Sequence, residues 1–201
     1  LMTSTPCKMD RLKESEGRYR YLTDAEEADC INWMRWNADY PSYTQFVFLL
    51  DTGCRIGEAR ALEWSDCDTD TGRITFWGNT TKTGKSRTVQ MSNRLKEMLT
   101  QLQRITNHPK VFDTVTSTGF YDTWKRMRQA LGKLKDPQFV IHALRHTCAT
   151  KLMAGGVDVV TVQHWLGHTD IKTTMKYAHF MPERLAVAAD AINHRATHVS
   201  A

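Results

Sequence analysis

The stretch HALRHTCAT, residues 142–150, places two histidines and an arginine within about one turn of a predicted helix. Its remaining residues are mostly small or apolar, which predicts that the helix is largely buried. Burying a guanidinium without a partner is costly, and no carboxylate lies within a turn of Arg145 on either side. The partner of Arg145 is therefore a group elsewhere in the fold or the anion of a ligand.

A second arginine, Arg55, stands in TGCRIGEARALEW, residues 52–64, with Glu58 three positions later. The plain interpretation is an ion pair on a solvated helix face, which contributes about 0.2–0.5 kcal/mol. The alternative is that Glu58 orients Arg55, so that the guanidinium binds an oxyanion through two hydrogen bonds. Taken alone, the motif favours the plain interpretation.

The turn TKTGKSR, residues 81–87, brings Lys82, Lys85 and Arg87 to the tip of a predicted hairpin. Charged residues at such a tip often only protect an edge strand from pairing. The functional alternative is a tip that enters a nucleic-acid groove and places one ammonium beside a phosphate. The turn by itself is a weak signal for either.

The stretch HWLGHTDIKTTMKYAH, residues 164–179, contains His168 in a turn and Tyr177 on a short predicted helix. Asp170 stands where the cap of that helix is expected. The plain interpretation makes His168 a helix-end residue and Tyr177 a core aromatic. Each of these plain interpretations is reasonable when its motif is considered alone.

Two patterns resemble metal sites but lack essential ligands. DCDTDTG begins like a calcium loop, yet Thr71 stands where glycine is required and Trp77 where the last glutamate belongs. HALRH and HWLGH space their histidines as zinc proteases do, but neither has a glutamate after its first histidine. We expect a hairpin at the first pattern, and neither a metal nor another cofactor in the protein.

Together the four stretches offer arginines, a lysine, histidines and a tyrosine, with no acidic cluster suited to paired divalent ions. Phosphoryl transfer needs charge stabilisation around the phosphate oxygens, an in-line nucleophile and an acid for the leaving oxygen. Where metals are absent, arginines and histidines must neutralise the phosphate. This set of side chains is suited to that chemistry.

The order and spacing of these stretches resemble the tyrosine recombinase family of the phage integrase type. The matching segments are TGCRIGEARALEWSDCD, the KTG turn, HALRHTCATKL and LGHTDIKTTMKYAH, and the likeness runs over about residues 23–179. Each segment is weak alone, but four in this order are specific. The resemblance implies the catalytic-domain fold of that family.

The resemblance also implies roles for the matching side chains. Tyr177 is the expected nucleophile, which attacks a DNA phosphodiester, forms a 3′-phosphotyrosyl bond and frees a 5′-hydroxyl. Arg55 and Arg145 are expected to hold the non-bridging oxygens. Lys82 is expected to protonate the leaving 5′-oxygen. The phosphate remains a diester in the phosphotyrosyl intermediate. Rejoining would therefore need no ATP.

The remaining matches are expected to assist. His142 would help accept the proton of the tyrosine, and His168 would donate a hydrogen bond to the phosphate. Glu58 would support Arg55, and His146 is expected to be structural. A free tyrosine has a pKa of about 10, so a cationic pocket that favours phenolate is consistent with these roles.

Four further cations are candidates for contact with the DNA backbone. Two belong to the hairpin tip and two to a basic helix for which a solvated face is the alternative. They are Lys85, Arg87, Lys125 and Arg128.

Periodicity and turn signals predict a mainly α fold with a small antiparallel β-sheet, an α+β class. Thr23 and Glu26 form a predicted capping box for the first helix. Short strands are expected between residues 66 and 91. Predicted helices cover about residues 24–37, 42–53, 57–64, 92–106, 118–135, 142–155, 157–167, 170–177 and 182–194.

The bulk properties fit one domain that binds an anionic partner. The chain has 201 residues, 41% apolar content, a net charge of +5 and a pI of about 9.0. Its five cysteines include no C-x-x-C pair, which argues against a disulfide framework and favours a reducing cytoplasm. The longest apolar run, FVFLL, is too short to cross a membrane.

The chain divides into three predicted parts. Residues 1–22 are a linker or N-terminal arm, residues 23–181 a catalytic domain, and residues 182–201 a C-terminal helix and tail. Leu1 replaces an initiating methionine, so we expect a segment of a longer protein. The last helix either packs on its own domain or docks on a neighbouring copy, with equal weight for the two.

The expected partners are double-stranded DNA, further copies of the chain on DNA as a tetramer, and accessory DNA-bending proteins. Three other functions stay open at this point. They are strand relaxation of the type IB topoisomerase kind, DNA binding without chemistry, and a metal-dependent nuclease, the last of which is weakest.

Overall fold

A computed structural model describes residues 19–81 and 84–182. Within that part the chain forms a mainly α domain with one three-stranded antiparallel sheet, as the sequence predicts. The helices are α1 Asp24–Asn37, α2 Tyr40–Thr52, α3 Ile56–Ala61, α4 Asn93–Ile105, α5 Ser117–Ala130, α6 His142–Ala154, α7 Val159–Leu166 and α8 Ile171–Met175. The strands are β1 Cys67–Asp68, β2 Arg73–Phe76 and β3 Arg87–Gln90.

Helix α2 is the centre of the domain, and its sequence explains why. Its segment QFVFLL is buried along its whole length, so it has no solvated face. It packs against α1, α4 and α6. Gly53 ends it with a φ of 60°, a left-handed conformation that favours glycine. The chain can therefore turn at once into the segment that carries Arg55.

Local capping signals set most of the helix starts. The capping box of α1 is confirmed, with Thr23 accepting from the amide of Glu26 and Glu26 accepting from that of Thr23. Helix α2 begins two residues earlier than predicted, because the side chain of Asp39 accepts from the amide of Ser42 and caps the helix. Cap chemistry thus overrides the weaker signal of Pro41.

The sheet has the order β1-β2-β3 and lies beside α3 and α7. Its register pairs Ile74 with Val89, and both are buried. The predicted turn before β2 is confirmed, with Gly72 at a φ of 70°. The link from β2 to β3 contains a 3₁₀ turn, Gly78–Thr80, and the two residues at 82–83 that lie outside the described part.

Two predicted helices are shorter in the structure. Helix α5 ends at Ala130 rather than near residue 135, because Gly132 turns the chain with a φ of 67°. Helix α3 is Ile56–Ala61, since a 3₁₀ turn takes over at Trp64. The predicted helix at 182–194 lies almost entirely outside the described residues.

The apolar core forms two clusters, and the smaller one supports the candidate site. The larger cluster surrounds α2 and includes Phe46 and Phe48. The smaller cluster joins α6 and α7 to the segment after α8, and Tyr177 belongs to it. In the described part of the chain, no helix is long and apolar enough to span a bilayer.

Candidate active site

Arg145 is buried in the middle of the domain and is held by backbone oxygens. Only 3% of it is exposed. One terminal nitrogen donates to the carbonyl of Gly53 at 2.6 Å and the other to that of Leu166 at 2.7 Å. These carbonyls lie at the C-terminal ends of α2 and α7, where helix dipoles leave partial negative charge.

Two helix ends therefore replace the acid that the sequence around Arg145 lacks. The partner elsewhere in the fold, left open by the sequence, is a pair of carbonyls. Burial lowers the pKa of Arg145 to about 10, which still leaves the guanidinium charged at neutral pH. Its orientation is fixed by the C-terminal ends of α2 and α7.

Arg55 lies just before α3, and both its backbone amide and its side chain bind the carboxylate of Glu58. The amide of Arg55 donates to Oε2 of Glu58 at 2.8 Å, and one terminal nitrogen of Arg55 donates to Oε1 at 3.3 Å. The side chain of Glu58 is 2% exposed, whereas that of Arg55 is 29% exposed. Glu58 is thus a buried anchor, and the guanidinium of Arg55 reaches the surface.

Arg87 is placed differently from the predicted DNA contact. Its side chain is 7% exposed, and its two terminal nitrogens donate to the two oxygens of Glu58 at 3.1 and 2.7 Å. Burial opposes ionisation of Glu58, yet the hydrogen bonds and charge of Arg87 hold the pKa of this carboxyl below its usual value. The guanidinium of Arg87 therefore points inward to Glu58, although the residue also lines the cleft beside His168.

Tyr177 lies two residues after α8, with its side chain turned into the smaller core cluster. Asp170 caps α8 as predicted, but the helix ends at Met175. The amide of Tyr177 donates to the carbonyl of Thr174 at 3.0 Å, which sets the turn. The residue is 4% exposed, and burial raises the pKa of its hydroxyl to about 12.

The hydroxyl of Tyr177 lies 2.5 Å from Nδ1 of His146. Burial, then the neighbouring His142 and Arg145, lower the pKa of His146 to about 4. The imidazole is therefore neutral at pH 7, and in its tautomer with an unprotonated Nδ1 that nitrogen accepts from the hydroxyl. The sequence had instead predicted that His142 helps accept the proton of the tyrosine and that His146 is structural.

His142 lies one turn away on the same helix face. Its ring meets that of His146 edge to face, with 4.9 Å between the ring centres. Burial and the nearby Arg145 and Arg55 lower its pKa. The exposed His142 and the half-buried His146 thus form a line that runs from the surface to the hydroxyl of Tyr177.

His168 is oriented by the turn between α7 and α8. Gly167 ends α7 with a φ of 69°, and Nδ1 of His168 lies 2.8 Å from the hydroxyl oxygen of Thr174. Burial, then Arg145 and Arg55, lower the pKa of His168 to about 3. A cleft of about 320 Å³ separates this turn from β3, and both His168 and Lys85 line it.

The other predicted contacts have mixed placement. Lys82 lies outside the described residues, and Lys85 is exposed beside the cleft. Lys125 is exposed on α5. Arg128 donates to the carbonyls of Lys133, Leu134 and Asp136, so it fastens the loop after α5 and is poorly placed for DNA.

Tyr19 was not found by sequence reasoning. Its ring centre lies 5.1 Å from that of His146 and 6.0 Å from that of Tyr177. The ammonium of Lys176 lies 4.7 Å from the same ring. No periodicity marks this residue in the sequence, and only the packing of the chain against α6 reveals it.

Residues 19–22, predicted to belong to an arm, pack on the domain. Leu22 is buried, and its amide donates to the hydroxyl of Thr147 at 2.9 Å. Arg20 pairs with Glu26 and Asp136. We propose that the folded body includes residues 19–22.

The calcium-like pattern forms a hydrogen-bonded turn. Asp68 accepts from the amides of Asp70 and Thr71, and Asp66 accepts from the indole of Trp77. Across residues 19–81 and 84–182, no three histidine, cysteine or acidic side chains are grouped so as to hold a metal ion. The site is built of cations, imidazoles and a phenol.

The fold is that of an integrase catalytic domain. The catalytic domain of the bacteriophage HP1 integrase superposes with a TM-score of 0.68 at 29% identity, over 86% of this chain and 95% of that one. A solved XerA recombinase superposes with a TM-score of 0.62 at 27% identity, over 88% of this chain and 65% of that one.

The sequence agrees with the fold. The pattern of the phage integrase family matches residues 20–184, and the chain belongs to that family. It is 34% identical over 175 residues to the integrase of Escherichia phage P2, which is 87% of this chain and 47% of that protein. It is 31% identical over 190 residues to a shufflon-specific DNA recombinase of Escherichia coli, 94% of this chain and 47% of that protein. The chain thus spans about half the length of these relatives.

Proposed function

We propose that this chain is the catalytic domain of a site-specific DNA recombinase that cuts and rejoins strands through a 3′-phosphotyrosyl intermediate. One observation carries the proposal. The hydroxyl of Tyr177 is hydrogen-bonded to His146, the residue next to the buried Arg145. A phenol, a neutral imidazole and a fixed guanidinium at one place suit attack on a phosphodiester.

In the proposed step, the oxygen of Tyr177 attacks phosphorus in line with the 5′-oxygen. The new O–P bond forms as the P–O5′ bond breaks, and the 3′ end remains on the tyrosine. Arg55 and Arg145 neutralise the charge that gathers on the non-bridging oxygens, and His168 donates a hydrogen bond to one of them. Among the described contacts of Arg145, two of its five N–H groups donate to carbonyls, which leaves donors for phosphate.

The proton of Tyr177 passes to His146, which becomes positively charged. The neighbouring imidazole of His142 helps to disperse this charge. At rest the pKa of the phenol is about 12 and that of His146 about 4, so the tyrosine stays protonated. Attack on phosphorus withdraws electron density from the phenol oxygen, so its proton becomes acidic as the O–P bond forms and moves to the adjacent Nδ1 of His146.

Lys82 remains our proposed acid for the 5′-oxygen. In the sequence it stands between β2 and β3, three residues before Lys85, which lines the cleft together with His168. The tyrosyl phosphodiester is an ester like the one that was cut, so a partner 5′-hydroxyl can attack it and return the proton. The cycle then requires neither ATP nor a metal ion.

Further parts of the proposal concern partners. We propose double-stranded DNA as substrate, a tetramer of the chain on paired sites, accessory DNA-bending proteins and action in the cytoplasm. Solved relatives bound to DNA, such as XerH recombinase with its difH substrate, support the first by their fold. The segment at 182–201 is proposed to link neighbouring copies on DNA.

A nicked DNA target tests the chemistry. The nick lies next to the scissile phosphate, so the short strand released by cleavage diffuses away and the covalent adduct accumulates. Wild-type protein with EDTA should give an adduct on a denaturing gel, and Tyr177→Phe should give none. Tyr121→Phe is the matched control, because Tyr121 is exposed on α5.

The same gel, with a DNA-binding assay and a plasmid assay beside it, separates the other functions. Binding without an adduct would indicate a DNA-binding protein without chemistry. Cleavage that disappears in EDTA would indicate a metal-dependent nuclease. An adduct accompanied by plasmid relaxation, without exchange between paired sites, would indicate a topoisomerase. Any of these results would overturn the proposal.

A further inference from the structure

We propose that Arg87 is a positioning residue, which aligns Arg55 through Glu58 and aligns the His168 turn through the carbonyl of Trp165. This inference rests on the proposed function, because it concerns how the phosphate-binding groups are aimed. Arg87 touches neither the nucleophile nor, in this proposal, the phosphate.

The first contact is a shared carboxylate. Oε1 of Glu58 accepts from Arg87 at 3.1 Å and from the side chain of Arg55 at 3.3 Å. Oε2 accepts from Arg87 at 2.7 Å and from the amide of Arg55 at 2.8 Å. The fork of Arg87 binds both oxygens, so the plane of the carboxylate is fixed. The direction of Arg55 is fixed with it.

The second contact reaches the other wall of the cleft. Nε of Arg87 donates to the carbonyl of Trp165 at 3.0 Å. A Cβ atom on Gly167 would lie 3.0 Å from the side chain of Arg87, which shows how closely the turn is seated on the guanidinium. His168 follows this glycine directly. A shift of Arg87 would therefore displace the turn that presents His168.

The third contact fixes Arg87 itself. Its guanidinium lies 4.3 Å from the ring centre of the buried Phe76. Arg87 is also the first residue of β3, and Phe76 is its partner in the register of the sheet. The side chain is thus held by the sheet while it contacts α3 on one side and the α7 end on the other.

A role in stability alone explains these contacts less well. Buried ion pairs add little net stability compared with apolar residues of similar size. A guanidinium that only filled space would not need to share its carboxylate with a second, half-exposed arginine. The sharing with Arg55 is the feature that a positioning role requires.

The test compares a charged and a neutral phosphate. The nicked target is made with its native scissile phosphate or with a methylphosphonate, which lacks the negative oxygen that Arg55 is proposed to bind. The variants are Arg87→Met, Arg87→Lys, Arg55→Ala and the double variant Arg55→Ala/Arg87→Met. Arg73→Met is the control, because Arg73 is exposed on β2 of the same sheet.

We expect Arg87→Met to slow single-turnover cleavage of the native target by about 30–100-fold and of the methylphosphonate by less than about 5-fold. The double variant should be slower than Arg55→Ala on the native target by clearly less than the loss that Arg87→Met causes alone, since the two changes share the alignment of Arg55 and only that of the His168 turn is lost in addition. Arg87→Lys keeps the charge but not the fork, and should show the same substrate difference at a smaller size. Arg73→Met should stay within about 2-fold of wild type.

Equal losses on both targets for Arg87→Lys, or losses that multiply in the double variant, would overturn the proposal and leave a structural ion pair. If Arg87→Met fails to fold, Arg87→Lys alone decides between these outcomes. Failure of the proposed function is a separate result, because wild-type protein would then form no Tyr177-dependent adduct on the native target.

Discussion

The two sides of the candidate site hold their arginines in different ways. On the α6 side, Arg145 is 3% exposed and bound to the carbonyl ends of two helices. On the α3 side, the side chain of Arg55 is 29% exposed and rests on one shared carboxylate. Arg145 is part of the core, whereas Arg55 lies at the surface and is oriented by the buried carboxylate of Glu58.

This difference separates the contribution of an arginine to folding from its contribution to phosphate binding. A buried guanidinium bound to carbonyls contributes to folding as well as to phosphate binding. A half-exposed guanidinium contributes little to folding, since solvent screens its ion pair. The two arginines should therefore have similar effects on cleavage and dissimilar effects on stability.

The largest expected effect is that of Arg145→Met. The change leaves the carbonyls of Gly53 and Leu166 without these donors, at a cost of about 1–3 kcal/mol each. We expect the free energy of unfolding to fall by roughly 2–5 kcal/mol and cleavage to fall at least a few hundredfold. Urea denaturation and single-turnover cleavage measure the two. A stability loss below about 1 kcal/mol would contradict the core role of Arg145.

Arg55→Met tests the other side. Cleavage should fall about a hundredfold or more, while the free energy of unfolding changes by less than about 1 kcal/mol. Stability is retained because Arg87 still pairs with both oxygens of Glu58. A loss of stability as large as that of Arg145→Met would erase the distinction between the two sides.

Stability should also fall in mild acid because of the α6 side. His146 and His168 have folded pKa values of about 4 and 3, below the unfolded value near 6.5, so the unfolded chain binds more protons. The two neutral imidazoles contribute fully to the free energy of unfolding above pH 6.5. This contribution is lost as the pH falls toward their folded pKa values. Between pH 7 and 5 we expect the free energy of unfolding to drop by about 2–4 kcal/mol.

Denaturation of His146→Gln at both pH values isolates one of these groups. Its drop should be smaller than that of wild type by about 2 kcal/mol. His164→Gln is the control, because His164 is exposed on α7. Identical drops for wild type and His146→Gln would show that this imidazole does not stay neutral in the folded protein.

The smallest expected effect belongs to Lys85, on the hairpin side of the cleft. Lys85→Ala should weaken DNA binding about 3–10-fold at low salt and reduce the slope of log affinity against log salt by about 1. Fluorescence anisotropy over a salt series measures both. Lys110→Ala is an exposed control, and an equal effect of the two changes would remove the specific role of Lys85.

The sequence predicts the features that depend on near neighbours. The capping box at Thr23 and the caps at Asp170 and Gly167 are local, and each ends or begins its helix in the predicted place. The antiparallel sheet follows from short alternating runs between turn residues. Likewise, the motif order identifies the family because it spans most of the chain.

The partners of the site residues could not be predicted, because they are distant in sequence. The carbonyls that bind Arg145 are 92 and 21 residues away. Whether His142 or His146 meets Tyr177 depends on how the segment after α8 packs on α6, and helical spacing alone allows either.

The orientation of Arg87 had an available signal in the sequence. In β3 the alternation of side chains puts Arg87 on the same face as the buried Val89. That pattern indicates an arginine turned toward the interior, whereas the position next to the hairpin tip suggested a DNA contact. The period of two was the better guide at this position.

The charge balance around Glu58 has a practical consequence. Arg55 and Arg87 both pair with this single carboxylate. Their positive charges also act on Arg145, where they add to burial in lowering its pKa. A pocket with such an excess of positive charge will take up small tetrahedral oxyanions from solution. Phosphate or sulfate in a buffer should therefore inhibit this domain competitively, and more strongly than chloride at the same ionic strength.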